Sequence, residues 1–379
     1  MTAPAAAQHT PPSRFKRLIL PGLAFKAVVI GGGYATGREI AEFFLPAGPW
    51  GGLAAMALAT LIWSTVCIAT FLFARATGAQ EYRSFFKALL GRGWIAFEVA
   101  YALFVVLILA VFGAAAGAIG TATLGTPPIL GTLALMVGIA GFAAFGNAAV
   151  ERLFAYVSIL LYGVYALFLV FALTSFGDRI AAAFAVSPAP AGGWALGGIT
   201  YAGYNIVGAV IILPVTRHLT SNRDAVVAGA IAGPLAMLPA VLFFTCMTAF
   251  MPAIAGAILP SDYMLVRLGQ PAFHLLFQGM IFAALLESGT GAVHAINQRI
   301  ASVWERRHGV APGRLMRGAT ALALLLVCML LAERVGLVAL IASGYRLLAY
   351  VLIAIYVVPL LSYGLWRPRH LVLAHGDFA

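Results

Sequence analysis

Long apolar stretches alternate with short polar breaks along this chain. Ten stretches stand out, at 18–44, 51–74, 92–122, 128–146, 149–176, 194–215, 225–250, 271–303, 315–332 and 335–364. Each has the length, about 17 residues or more, that a helix needs to cross a ~30 Å hydrocarbon core. Proline, glycine or charged clusters separate them. Two boundaries are thin: Gly146-Asn147 between the fourth and fifth stretches, and Glu333-Arg334 between the ninth and tenth. The pattern predicts an all-α integral membrane protein with ten transmembrane helices.

Composition agrees. Of 379 residues, 63% are hydrophobic and 9% charged, and mean hydropathy is +0.99. A soluble domain carries about 25% charged residues. Placing the N-terminus in the cytoplasm sorts the 23 Lys and Arg sharply. Arg179, Arg267 and Arg334 fall outside, while Lys26, Arg38 and Arg346 lie within spans. The rest are cytoplasmic, as the positive-inside rule requires. Both termini are then cytoplasmic, in a cell inner membrane. The net charge of +11 is mostly topological. It implies contact with anionic lipid headgroups and no nucleic-acid partner. Cys67, Cys246 and Cys328 lie in separate apolar runs and read as packing residues. The Pro/Ala-rich tail and the long first span do not read as a cleaved signal.

The chain reads as two copies of one five-helix unit. Features of the first five spans recur roughly 170 to 190 residues later, and an odd number of helices inverts the second copy in the membrane. The predicted organisation is a tail (1–17), a first repeat (18–176), a connection (177–193), an inverted second repeat (194–364) and a C-terminal tail (365–379). The first span contains Gly31-Gly32-Gly33, with Arg38 and Glu39 soon after. Each glycine weakens a helix by about 1 kcal/mol relative to alanine. Unpaired backbone at membrane depth is tolerated only where protein buries it or it lines a wet cavity. The sixth span has a matching glycine-rich, polar segment, Gly197 to Gly208, with a break expected near Gly203. Small residues also serve plain helix packing, but two such clusters at equivalent repeat positions favour paired helix breaks.

The string Gly31-Gly32-Gly33-Tyr34-Ala35-Thr36-Gly37-Arg38-Glu39, together with Glu287-Ser288-Gly289-Thr290, resembles the bacterial YkvI-like membrane proteins. More broadly, the ten spans with a broken first and sixth helix look like the LeuT-type fold of the amino acid–polyamine–organocation superfamily. The resemblance covers about residues 18–364. It implies a bundle of spans one, two, six and seven rocking against spans three, four, eight and nine, with a solute between the two breaks. Implied partners are a small-molecule solute and sodium or protons.

Candidate solute-binding residues surround those breaks. The backbone around Gly31, Gly32, Gly33 and Tyr34 would open a second half-helix whose N-terminal end favours an anionic group. Thr36 lies in the same string. Tyr34 and Tyr201 offer apolar faces and hydroxyls, and Gly203 and Asn205 lie at the opposite break. Arg38 and Arg346 are the cations that can read a carboxylate. Arg38 is also spaced to pair with Glu42 one turn on.

Glu287 is the carboxylate the pattern places near the middle of a span, with Ser288, Thr290 and His294 close by. Glu287, Thr290 and His294 share one helical face. An ionisable group at that depth costs at least ~2.5 kcal/mol, so it needs a partner or a proton. Three roles are open for it: sodium ligand, proton carrier, or arginine partner. His294 can relay a proton or simply pack. The fold resemblance implies a bound sodium ion at Gly31, Ser288 and Thr290; no other cofactor is expected.

Enzymatic readings fail. The string around Gly31, Gly33 and Gly37 imitates a dinucleotide-binding turn, but its third glycine is one residue late and no acidic residue follows at the required distance. No P-loop, zinc helix or Ser-His-Asp arrangement is visible. The expectation is a secondary active transporter of a small polar or zwitterionic, amino-acid-like solute, working by alternating access. A passive channel on the same scaffold and a non-transporting receptor or assembly partner are the rivals.

Overall fold

The computed structural model describes residues 12–30, 34, 36–145, 147–187, 190, 192–310 and 313–364. These are almost wholly helical, with no strand among them. Gly31, Gly32 and Gly33 lie outside the described residues. The flanks of that glycine run are described, and the first span is in two pieces: Leu20–Val29 and Arg38–Phe44. The long helices that follow are Gly48–Thr77, Trp94–Leu124, Pro128–Phe145 and Asn147–Val186. After Trp194–Asn205 come Asn222–Thr248, Pro271–His308 and Arg314–Val335, then the tenth stretch, Leu337–Gly364. Among the described residues, eight helical stretches are long and apolar enough to cross a membrane. The first span is not one of these as a single helix, because it is broken. The fourth helix, Pro128–Phe145, has 18 residues.

Three boundaries differ from expectation. The fifth helix continues past 176 to Val186. It carries Arg179 with it, and the guanidinium lies over the Phe250 ring at 5.6 Å. The ninth and tenth helices part at Gly336, whose φ of 79° suits glycine, rather than at Glu333-Arg334. The sixth span stays helical through Gly203 and on to Asn205, and its interruption falls at Ile206. Ile206 keeps near-helical angles (φ −64°, ψ −18°), so this interruption is slight. The chain tightens into a 3-10 helix only at Leu213–His218.

Glycines explain how the helices pack. A Cβ on Gly229 would lie 2.5 Å from the Ile68 backbone nitrogen, and one on Gly233 would lie 2.5 Å from the Thr60 carbonyl oxygen. Spans two and seven therefore touch backbone to backbone, as small residues permit between membrane helices. Gly198 puts span six equally close to the Ala55 carbonyl of span two, and Gly22 puts the first half-helix against Leu235 and Ala232 of span seven. Spans one, two, six and seven thus form one packed group. Spans three, four, eight and nine form another. Thr132 donates to the Gly113 carbonyl at 2.9 Å, Gly117 meets Pro128, and Gly289 meets Ile139 and Leu109. Cys328 faces the Val106 carbonyl. All three cysteines are buried and free.

The two ends of the helices differ chemically. One end gathers Arg17 with Asp224 at 3.3 Å, Arg75 on the Leu219 carbonyl at 2.7 Å, and Arg299 with Glu98 at 3.6 Å. The other joins Trp50 to the Phe184 carbonyl and stacks Arg179 and Arg267 on Phe250.

Candidate functional site

The break in the first span is pinned. The first half-helix ends at Val29, and Ile30 leaves helical geometry with ψ 72°. Gly37, at φ 76°, turns the chain into Arg38–Phe44. Its missing side chain is required twice, because a Cβ would also sit 2.5 Å from the Phe243 ring. The Thr36 hydroxyl accepts from the Arg38 amide at 3.2 Å. The Thr36 carbonyl accepts from the Ser261 amide at 3.0 Å. Thr36 is therefore part of the hinge's own bonding.

Opposite stands the sixth span. Tyr201 is fully buried, its ring 4.8 Å from Phe44 and 5.5 Å from Trp63. Trp63 donates to the Ala202 carbonyl at 3.2 Å. The Tyr201 hydroxyl has no hydrogen-bond partner among the described residues. Asn205 folds back on the Tyr201 carbonyl at 3.1 Å. Gly203 faces away from the break, towards Ile353 and Ala349 of the tenth span, where it allows close packing. Tyr34 is buried beside Tyr165 of the fifth span, with ring centroids 6.2 Å apart.

The residue that sequence reasoning passed over is Glu39. Hydropathy singles out Glu287 as the central carboxylate, yet Glu39 is the more enclosed, at 5% exposure. It accepts a hydrogen bond from the Tyr204 hydroxyl at 2.5 Å. The Tyr204 ring lies 4.4 Å from that of Tyr345, 5.7 Å from Tyr201 and 5.8 Å from Phe43. No Lys or Arg among the described residues forms an ion pair with Glu39. The available signal was its place just after the glycine run, on a different helical face from Arg38.

Arg38 is occupied. Its guanidinium donates to Glu42 at 2.6 Å and to the carbonyls of Ala255 and Ala257 at 2.8 and 3.0 Å. Arg346, half-exposed, lies 4.0 Å from the other Glu42 oxygen. Glu42 and Arg346 line a cavity of about 300 Å³ with Phe43, Trp194 and Thr200. Phe43 and Thr200 thus stand between this cavity and the buried tyrosines.

On span eight, Thr290 is fully buried and its hydroxyl donates to the Leu286 carbonyl at 2.7 Å. Its oxygen lone pairs remain to accept. Glu287 is half-buried and forms no ion pair among the described residues. Neither Arg38 nor Arg346 reaches it. Ser288 is half-buried beside it. His294 is spent on Gln298 at 2.8 Å. Oxygen donors at Glu287, Ser288 and Thr290 suit a hard cation. Lys26 lies 4.3 Å over the Tyr162 ring. Among the described residues no three His, Cys, Asp or Glu gather as a metal site.

This architecture is shared with solved transporters. MhsT in complex with L-phenylalanine aligns with a TM-score of 0.58 at 17% identity, covering 96% of this chain and 99% of that one. A Na+-coupled sialic acid symporter in its substrate-bound outward-open state aligns at 0.56 and 13%, covering 91% and 76%. The manganese transporter of Eremococcus coleocola aligns at 0.54 and 15%, covering 90% and 77%. No protein-family model and no curated protein matches the chain. At these identities the likeness defines the fold: an all-helical membrane protein of the LeuT type.

Proposed function

We propose that the protein is a secondary active transporter that moves a small polar solute across the cytoplasmic membrane by alternating access, driven by sodium or protons. The supporting observation is the first span, which leaves helical geometry at Ile30 and turns again at Gly37, with its second half-helix facing the buried tyrosines of the sixth. Broken helices that meet between two helix groups are where transporters of this architecture place their solute. A bundle of spans one, two, six and seven rocks against the other group. The arginine-rich end lies in the cytoplasm with both termini, and the two five-helix units are inverted copies. That the aligned structures include an L-phenylalanine complex, a Na+-coupled symporter and a manganese transporter supports solute transport rather than catalysis.

The test is counterflow in proteoliposomes, using a labelled panel of amino acids, amines and organic acids with excess unlabelled compound inside. A carrier accumulates label transiently above equilibrium. Equilibration without overshoot identifies a channel, and binding without flux identifies a receptor. Replacing sodium with potassium, and separately collapsing the pH gradient, assigns the driving ion.

A further inference from the structure

Glu39 poses an electrostatic problem. A carboxylate buried at membrane depth is costly unless it is paired, and Tyr204 supplies one hydrogen bond, at 2.5 Å. The neighbouring Arg38 does not answer it, because it is turned to Glu42, Ala255 and Ala257. Around Glu39 the walls are aromatic: Tyr204 and Tyr345 are buried with ring centroids 4.4 Å apart, and Tyr201 is buried with an unpartnered hydroxyl.

We infer that the solute is recognised by a protonated amine, held by the Glu39 carboxylate against the Tyr204 and Tyr345 rings, and that a free carboxylate on the solute is dispensable. This rests on the transport reading of the same site. An ammonium supplies the missing charge and three N–H donors, one of which the Tyr201 hydroxyl oxygen can take. Aromatic faces attract cations further, most strongly where water is excluded. A carboxylate in the same place would meet Glu39 as a like charge. Its natural reader, Arg38, is already committed, and the half-helix Arg38–Phe44 has only 7 residues. The way in is the cavity that holds Glu42 and Arg346. Phe43 lines it and also packs on Tyr204 at 5.8 Å, so Phe43 is the side chain that must move for a solute to reach Glu39. The substrate class is therefore organic amines with a small apolar body.

Binding to the purified full-length chain tests this by calorimetry and thermal shift. The probes are propylamine through hexylamine, the straight-chain carboxylates of equal length, and the corresponding 2-amino acids. At least one amine should bind about tenfold tighter, or more, than its matched carboxylate. Glu39→Gln should erase that preference. Glu39→Asp should keep it with weaker binding, which preserves the test if the glutamine variant does not fold. A carboxylate that binds as tightly as its amine overturns the inference. So does an amine series with no binder, or an unchanged Glu39→Gln. Flux separates the two readings. An amine that binds without counterflow defeats transport and leaves the amine site. Concentrative uptake of a solute without an amine defeats the amine site and leaves transport.

Discussion

The Arg38 guanidinium meets Glu42 at 2.6 Å, one helical turn along, while its other terminal nitrogen holds the carbonyls of Ala255 and Ala257. One side chain thus ties the second half of the broken helix to the connection between spans seven and eight. Arg38→Met strands two carbonyls and leaves Glu42 only the distant Arg346. Removing one member of a largely buried pair costs about 3–5 kcal/mol. Glu42→Gln should be comparably harmful, because it leaves two arginines facing one another. Melting of the purified variants checks this, and an unchanged Tm in both would show the pair to be ornamental.

Spans two and seven meet where span seven has no room for a side chain. In Gly229→Val the new Cβ starts 2.5 Å from the Ile68 backbone nitrogen. Backbone cannot step aside as a flexible side chain can, so the helices must separate. Overpacking of this kind costs about 1–3 kcal/mol. Gly279→Ala, where a Cβ meets nothing within 4 Å, is the control. The valine variant should lose thermal stability and the alanine variant should not.

Sidedness has a direct readout. The three native cysteines are buried, so added ones report cleanly. Ile258 and Val310 are both well exposed, and they lie at opposite ends of the helices. Ile258→Cys should react with an impermeant thiol reagent in intact cells. Val310→Cys should react only after permeabilisation. The reverse pattern would place the arginine-rich end outside.

Glu287 has no arginine partner among the described residues, so Glu287→Gln should fold and insert normally. Its transport phenotype then reports its job. Exchange that survives while uphill, pH-driven accumulation fails marks a proton carrier. Weakened sodium-dependent binding, shared by Thr290→Val, marks a sodium ligand. Thr290→Val also removes the hydroxyl bond to the Leu286 carbonyl, a loss near 1 kcal/mol, so stability is measured beside binding. Full concentrative transport by a stable Glu287→Gln protein would remove Glu287 from the site.

Much of this architecture was legible along the chain. Residence in a membrane, the approximate spans, the broken first helix and the arginine-rich end all follow from neighbours in sequence. Hydropathy over a helix length, the low helical propensity of a glycine run and the count of charges per loop are local quantities. The i, i+4 pairing of Arg38 with Glu42 was readable for the same reason. The sixth span shows where local reading stops. Its glycines suggested a break near Gly203, yet Gly197, Gly198 and Gly203 all serve close helix packing, and propensity alone does not distinguish the two uses. Likewise, hydropathy placed Glu287 near the centre of a span and left Glu39 in the shadow of Arg38. Adjacent residues on a helix point about 100° apart, and only the packing of the tertiary structure decides which one meets carbonyls and which one meets Tyr204. The enclosure of a carboxylate by residues from spans one, six and ten is a property of helices distant in sequence and close in space. It was therefore decided by the fold and carried by no single segment of the chain.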